Sequence, residues 1–266
     1  MPSLHVLASR TQLVGVVTQP DRASGRGHKM QPTPVKAAAI ELGVRVYEPV
    51  KLRPLVDELA GVAFDLFALA SYGRILPQSL LDLPKLGALN VHPSLLPKYR
   101  GATPIQTALR NGDAETGVSI MLMDAGMDTG DIVLQELFPI APDADYGTLH
   151  DELALFGGDL LGEAIDLANK GPLPRRAQSG EASVTKPIGK DDTMVSLDWP
   201  PERFINAVRA FSPQPGARLQ IEGEVIKVLR AHIESGVVVL DDVVAPNRGR
   251  MSGESYLQSR HDRQQA

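Results

Sequence analysis

The sequence predicts an α/β protein whose doubly wound, mostly parallel sheet is followed by a small β-rich domain. Short apolar, β-branched segments alternate with helical segments between residues 12 and 168, which is typical of a parallel sheet with crossover helices. After Lys170 the chain becomes rich in Pro, Gly and Ser and loses its apolar periodicity. We therefore predict a larger domain over residues 1–170, a linker over 171–190 and a small domain over 191–266.

The elements of the larger domain follow from apolar patterning and from flanking turn residues. Strand patterns, which are short and apolar on both faces as buried parallel strands require, occur at Gln12–Thr18, Val44–Tyr47, Val62–Ala70, Ala88–His92, Val118–Met123 and Asp131–Leu137. Helical patterns occur at Leu4–Ser9, Val35–Leu42, Pro54–Leu59, Gln78–Leu83, Thr103–Arg110 and Thr148–Ala168. Open sheets of this kind bind ligands beyond the carboxyl ends of their strands, so the loops after Thr18, Ala70 and His92 are the predicted place of a site.

The small domain is predicted from one helix and three short strands. The helix covers Arg203–Phe211, and the strands cover Arg218–Ile221, Val225–Leu229 and Val237–Val244. Near the C-terminus, Arg248, Arg250, Arg260 and Arg263 exceed Glu254 and Asp262 by a charge of +2. This pattern predicts a solvated tail or, combined with a basic loop near the N-terminus, a surface for a polyanionic partner.

Composition excludes several classes of function. The chain has 27 Lys and Arg against 32 Asp and Glu, a net charge of -5, so any contact with nucleic acid must come from a local basic patch. It has no cysteine, which excludes disulfides, thiolate nucleophiles and cysteine-based metal sites. The apolar runs are too short for a transmembrane helix, and the first residues lack the pattern of a secretory signal. We expect a cytoplasmic protein without a membrane partner.

The strongest candidate site lies at the end of the strand Ala88–His92. Asn90 and His92 flank an apolar residue, so the two-residue period of a strand places both side chains on one face. Such a pair is either structural, with both side chains hydrogen-bonded to neighbouring loops, or part of a pocket. The loop that follows contains two prolines, a glycine and basic residues, and this favours the pocket.

A second candidate is the acidic stretch Asp124–Asp131, with the sequence DAGMDTGD. It is either a solvated turn or the source of a carboxylate that returns to His92, fixes its tautomer and supports the imidazolium. Its acidic positions do not match a complete calcium loop, so we predict no metal.

A third candidate is the basic loop Gln19–Met30. Residues 20–36 contain four Lys or Arg and one Asp, a local charge of +3 in an acidic protein. The loop is either a mobile surface segment or an arm that contacts a phosphate backbone.

Several of these motifs together resemble bacterial methionyl-tRNA formyltransferases. The resemblance rests on TQPDRASGRGHKM, NVHPSLLPKYRGATPIQ, GDAETGVSIMLMDAGMDTGD, FSPQPGA and RMSGESYLQSR, which extend over nearly the whole chain. The second and third motifs are specific for folate-dependent formyl transferases, and the basic loop and small C-terminal domain point to the family that acts on tRNA.

The resemblance implies a formyl donor, 10-formyltetrahydrofolate, and an acceptor, the amine of methionyl initiator tRNA. It implies an oligonucleotide-binding-type barrel for the C-terminal domain, and we expect a monomer. The positions that match family sites fall into three groups: the catalytic trio Asn90, His92 and Asp128; the folate-binding stretch Ser94, Leu95, Leu96 and Pro97; and Arg26, in the loop that meets the tRNA acceptor end. Arg22 and Lys29 of the same basic loop are predicted to contact the tRNA beside Arg26.

The residue types of the trio agree with formyl transfer. An amine that attacks the formyl carbon creates an oxyanion, to which the Asn90 amide and a His92 N–H are able to donate. His92, held by Asp128, is also a base for the proton of the amine. Neither step requires a metal or a covalent enzyme intermediate.

The chain departs from the family pattern in two places. The resemblance predicts a central strand before Pro2, whose absence would expose neighbouring strand edges, and a longer connection between Ile233 and Val237 in the barrel. These departures leave open an inactive tRNA-binding remnant. The second and third motifs, taken alone, also leave open a formyl transferase acting on an amino sugar nucleotide or on glycinamide ribonucleotide.

Overall fold

The computed structural model describes residues 1–24 and 29–265. Its helices are α1 (Pro2–Arg10), α2 (Pro34–Glu41), α3 (Leu52–Ala60), α4 (Gln78–Leu81), α5 (Pro104–Asn111), α6 (Tyr146–Ala168), α7 (Pro201–Phe211) and α8 (Gly253–Gln265), with a 3-10 turn at Asp191–Thr193. Its strands are β1 (Val16–Val17), β2 (Arg22–Ser24), β3 (Lys29–Gln31), β4 (Val46–Tyr47), β5 (Phe67–Ala70), β6 (Ala88–His92), β7 (Arg100–Gly101), β8 (Glu115–Leu122), β9 (Ile132–Pro139), β10 (Val184–Thr185), β11 (Met194–Val195), β12 (Ala217–Ile221), β13 (Glu224–Glu234), β14 (Val237–Ala245) and β15 (Gly249–Ser252).

Strands and helices alternate through the first part of the chain, and the predicted α/β class is confirmed. Strands β1 and β4 form a parallel pair, and a four-stranded sheet has the order β5-β6-β8-β9. Within this sheet β5 and β6 run parallel, whereas β6 and β8 run antiparallel. The sheet is therefore mixed, which is common in folds of this class.

Three predicted strands are shorter in the structure than the apolar pattern suggested. The segment Gln12–Thr18 yields only Val16–Val17, Val44–Tyr47 yields only Val46–Tyr47, and Val62–Ala70 yields only Phe67–Ala70. Strands β1 and β5 belong to different sheets, so each pairs with a single neighbour in the described part of the chain. Apolar patterning reports burial, whereas strand length depends on the hydrogen-bonding partner that a segment finds.

Helix α3 shows how the first part of the chain builds its core. Leu52, Leu55 and Leu59 follow the spacing of one helical face, and all three are buried. They pack with Tyr47 of β4 and Leu80 of α4. Burying each leucine contributes about 1.5–3 kcal/mol, so this stripe fixes α3 against the neighbouring elements.

The C-terminal part contains a five-stranded sheet with the order β11-β12-β13-β14-β15. The two-residue connection Ser235-Gly236 joins β13 to β14, and both residues have positive φ, as a type I′ turn requires. After an irregularity at Arg230, the ladder is regular from Ala231 up to the turn, where Glu234 pairs with Val237. The short connection between Ile233 and Val237 therefore closes as a tight hairpin.

The prediction of a solvated tail after residue 248 is wrong. Strand β15 pairs with β14, and α8 follows it directly. Tyr256 of α8 is fully buried, and its hydroxyl donates to Glu224 Oε2 at 2.9 Å. This buried aromatic side chain anchors the polar helix, and Arg260 of the same helix adds a hydrogen bond to the Ile221 carbonyl at 2.8 Å; charge counting detects neither contact.

The chain packs as two compact units that interleave in the sequence. One unit contains residues 1–100, 117–137 and 153–183, and the other contains residues 101–116, 138–152 and 184–266. These units do not test the predicted boundaries at 170 and 190, which stay a prediction. No helix among the described residues is long and apolar enough to cross a membrane.

Candidate active site

Strand β6 presents the two polar residues that the sequence singled out. Leu69 and Met121 pair with Asn90 in the neighbouring strands, and Ser119 pairs with His92. Because side chains alternate along a strand, Asn90 and His92 lie on the same face of the sheet. His92 is buried and Asn90 is half-buried.

Among the described residues, no hydrogen bond to the Asn90 side-chain amide is found. Asn90 and His92 therefore differ in whether their polar atoms already have a partner in the protein. The His92 ring is held on two sides, whereas the Asn90 amide has donor capacity for a bound molecule. The alternative of a structural pair bonded to neighbouring loops describes His92, whose nitrogens face Tyr99 and Asp128 in two loops, but it does not describe the Asn90 amide.

The tautomer of His92 follows from its contacts. Its Nε2 lies 2.9 Å from the carbonyl oxygen of Tyr99, and because a carbonyl only accepts, Nε2 carries a hydrogen and donates. In the neutral ring the lone pair therefore lies on Nδ1, which is 3.6 Å from Asp128 Oδ2. The carboxylate is next to the atom that accepts a proton, so it stabilises the imidazolium once formed.

The pKa of His92 is lowered from 6.5, chiefly because burial removes water from the charged ring. The negative charge of Asp128 and the Tyr99 carbonyl act in the opposite direction but do not cancel the effect of burial. The His92 and Asp128 side chains are only 5% and 17% exposed. The ring is therefore neutral near pH 7 and able to accept a proton.

The loop that carries Asp128 has a constrained backbone. Asp124 Oδ1 accepts from the Gly126 amide at 3.0 Å and from the Thr129 hydroxyl at 2.7 Å, which closes the loop on itself. Asp128 has a φ of 53°, in the left-handed region. A Cβ on Gly130 would lie 1.7 Å from the Leu122 carbonyl oxygen, so only glycine fits there.

The predicted folate-binding stretch divides into inward and outward residues. Ser94 and Leu96 are buried: the Ser94 hydroxyl donates to Lys98 O at 2.6 Å, and Leu96 packs with Met121 and Ile132. Leu95 and Pro97 are half-buried. The first pair shapes the loop, and the second pair retains side-chain surface for a ligand.

Ser119 organises this loop, although sequence reasoning did not identify it. Its hydroxyl donates to Ser94 O at 2.6 Å and accepts from the Leu96 amide at 3.2 Å. Gln135 donates to Leu96 O and to Ser119 Oγ, both at 2.9 Å. A serine inside the apolar strand β8 was the available signal, because a buried hydroxyl needs partners.

The basic loop forms a hairpin rather than an irregular segment. Strands β2 and β3 pair antiparallel, with Arg22 opposite Gln31 and Ser24 opposite Lys29. Arg22 and Lys29 are thus placed by their backbone, whereas Arg26 lies outside the described residues.

An ion-pair cluster fixes the base of this hairpin. Lys36 Nζ lies 2.7 Å from Asp21 Oδ2 and 2.8 Å from Glu48 Oε2, and the hydrogen bonds to Asp21 and Glu48 raise the pKa of Lys36. Lys36 is thereby paired with two carboxylates, so the local positive charge predicted for residues 20–36 is partly neutralised.

The predicted linker is ordered where it passes this site. Arg176 forms an antiparallel bridge with Ile132, and Gln178 hydrogen-bonds to the Asp128 loop. In the described part of the chain, no three His, Asp or Glu side chains form a group suited to a metal ion. The predicted absence of a metal stays a prediction.

Comparison with known proteins places these features in context. Residues 4–165 match the family model described as formyl transferase, and residues 187–239 match that of the formyl transferase C-terminal domain. The chain is 44% identical over 236 residues to a methionyl-tRNA formyltransferase of Geobacter sulfurreducens, covering 87% of this chain and 74% of the relative. It is 38% identical to that of Syntrophus aciditrophicus, covering 97% of this chain and 91% of the relative.

A solved structure supports the same fold. HypX from Aquifex aeolicus in complex with tetrahydrofolic acid matches with a TM-score of 0.66 at 17% identity, covering 83% of this chain and 43% of that one.

Proposed function

We infer from the membership of this chain in the formyl transferase family that it transfers a formyl group to the amino group of methionyl initiator tRNA. The observation that carries this conclusion is the 38–44% identity, over most of both chains, to methionyl-tRNA formyltransferases. An amino sugar nucleotide as acceptor is not favoured, because these relatives act, by their names, on methionyl-tRNA. We propose 10-formyltetrahydrofolate as the donor and a monomer as the active form.

We propose that His92 handles the proton of the reaction. Net transfer moves the formyl carbon from the donor nitrogen to the amine, and one proton moves from the amine to the donor nitrogen. The neutral His92 ring accepts at Nδ1, and Asp128, 3.6 Å away, compensates the positive charge until the proton is returned. The role of His92 as an N–H donor to the oxyanion is disfavoured, because its Nε2–H is bonded to Tyr99.

Asn90 is the proposed donor to the formyl oxygen. Its half-buried amide lies on the same sheet face as His92, and a donor aimed at a developing oxyanion contributes about 3 kcal/mol. Leu95 and Pro97 are proposed to contact the folate directly, and Ser94 and Leu96 to hold their backbone. Arg22, Arg26 and Lys29 are proposed to contact the phosphates of the tRNA acceptor end.

The test is transfer of labelled formyl from 10-formyltetrahydrofolate to methionyl initiator tRNA. His92→Ala abolishes transfer while leaving tRNA binding within about twofold, and His5→Ala, at an exposed histidine, is the matched control. Near-wild-type transfer by His92→Ala would remove His92 from the mechanism. Absence of transfer by the unaltered chain, with retained salt-dependent tRNA binding, would instead support the remnant.

A second arm tests the basic hairpin. Arg26→Ala raises KM for the tRNA and leaves folate binding unchanged, whereas Arg53→Ala, at an exposed arginine of α3, changes neither. An equal loss of folate binding in Arg26→Ala would contradict the proposed role of the hairpin. Light scattering on a sizing column checks the monomer.

A further inference from the structure

The segment after α6 was predicted as a linker, yet two of its side chains are turned toward the protein. Between residues 174 and 184 every residue is exposed except Gln178 and Ser183, which are half-buried. In a solvated segment a polar side chain gains nothing from burial unless it meets a specific partner. The partners of these two residues are therefore informative.

The side-chain amide of Gln178 forms four hydrogen bonds, two to the Asp128 loop and two to Arg100. Its Nε2 donates to Asp128 O at 2.8 Å and to Gly130 O at 2.9 Å. Its Oε1 accepts from Arg100 Nε at 3.0 Å and from Arg100 Nη2 at 2.6 Å. Two N–H groups and two lone pairs are the full hydrogen-bonding capacity of a glutamine amide. Flipping the amide would place its oxygen against the two carbonyl oxygens and its N–H groups against the Arg100 guanidinium. The orientation of Gln178 is thus fixed.

Ser183 holds the other neighbour of His92. Its hydroxyl oxygen accepts from the Tyr99 amide at 2.8 Å, and its carbonyl accepts from the Arg100 amide at 2.9 Å. Tyr99 is the residue whose carbonyl binds His92 Nε2. The two inward side chains of the segment therefore contact the two residues that flank the His92 ring.

Both contacted residues need external support. Tyr99 has a φ of 62° and Asp128 a φ of 53°, in the left-handed region that is unfavourable for residues other than glycine. Such conformations persist where surrounding hydrogen bonds over-determine them. Gln178 binds the carbonyl of Asp128, and Ser183 binds the amide of Tyr99.

We propose that Gln178 and Ser183 are positioning residues for formyl transfer, which hold Asp128 and Tyr99 against opposite nitrogens of His92. The proposal rests on the function inferred above for the His92 site. Neither residue touches the reacting atoms. Their effect is exerted through the geometry of His92, so it falls on kcat rather than on substrate binding.

The test uses the full chain with paired variants. Gln178→Met removes all four hydrogen bonds, whereas Gln178→Glu keeps acceptors for Arg100 but directs a carboxylate at the carbonyls of Asp128 and Gly130. Both variants lower kcat about 10- to 100-fold with KM for both substrates within twofold. Gln12→Glu, at an exposed glutamine, is the matched control and leaves kcat unchanged.

Ser183 offers a rescue test. Ser183→Ala loses the acceptor for the Tyr99 amide and lowers kcat, whereas Ser183→Thr retains a hydroxyl and restores it. Thermal melting of each variant shows whether the fold is intact. Wild-type kcat in Gln178→Met and Gln178→Glu, or equal loss in Ser183→Ala and Ser183→Thr, would overturn the proposal.

Hydrogen exchange separates this proposal from the proposed function. In Gln178→Met, deuterium uptake rises in peptides covering residues 124–130 and stays unchanged in α3, whether or not the chain turns over. Unchanged uptake at 124–130 refutes the positioning role even if transfer activity is found. Increased uptake without transfer in the unaltered chain refutes the function but leaves the loop contact supported.

Discussion

Gly130→Ala is expected to damage the active site through a single methyl group. The Cβ would lie 1.7 Å from the Leu122 carbonyl oxygen, and real Cβ contacts are essentially never shorter than 3.0 Å. The backbone at residue 130 and the Leu122 carbonyl must therefore move apart by at least the difference between these two distances, 1.3 Å. The Leu122 amide also donates to Asp131 O at 2.8 Å, so moving the two backbones apart strains this hydrogen bond.

The magnitude follows from this displacement. Asp128 is two residues from Gly130, and its carboxylate already lies 3.6 Å from His92 Nδ1. A misplacement of about 1 Å in a catalytic arrangement costs up to about 100-fold in rate. Overpacking at such a position costs about 1–3 kcal/mol of stability, and each kcal/mol lowers the melting temperature by about 2–4 °C.

The assay is formyl transfer to methionyl-tRNA with thermal melting of the same preparation. Gly61→Ala is the matched control, because a Cβ there meets nothing within 4 Å and the residue has an ordinary φ of -90°. We expect Gly130→Ala to lose about 100-fold in kcat/KM and Gly61→Ala to lose nothing. Wild-type kcat/KM and melting temperature in Gly130→Ala would refute the reasoning.

Two further predictions concern stability. Below pH 6.5 the unfolded chain protonates His92 more readily than the folded chain, whose pKa is lowered by burial, so stability falls by up to about 1.4 kcal/mol per pH unit until the folded-state pKa is reached. Urea unfolding from pH 7 to 5 measures this, and His92→Gln has a shallower dependence; an identical slope would contradict the assignment. Ser119→Ala leaves the Leu96 amide without its partner and costs about 1–3 kcal/mol in thermal melting, whereas the exposed Ser9→Ala has no effect. Equal melting temperatures would show that Ser119 is dispensable.

The sequence alone determined the fold class and the position of β6. Alternating apolar segments and proline or glycine boundaries are local properties, so the strand Ala88–His92 was predicted with its observed bounds. The two-residue period of that strand was sufficient to place Asn90 and His92 on one face. The motif DAGMDTGD marked Asp128 as a carboxylate to consider, but spacing along the chain did not give its distance from His92.

Only the tertiary structure decided which groups meet around His92. Tyr99, Asp128, Gln178 and Ser183 come together through loops and a segment without apolar periodicity, and such segments carry no local pattern from which their contacts follow. The same holds for α8, whose polar sequence predicted a solvated tail and which the buried Tyr256 anchors. Hydrogen bonds between residues more than 50 positions apart, such as that of Tyr99 with Ser183, depend on the folded path of the whole chain. Sequence patterns carry information only about residues close together in the chain.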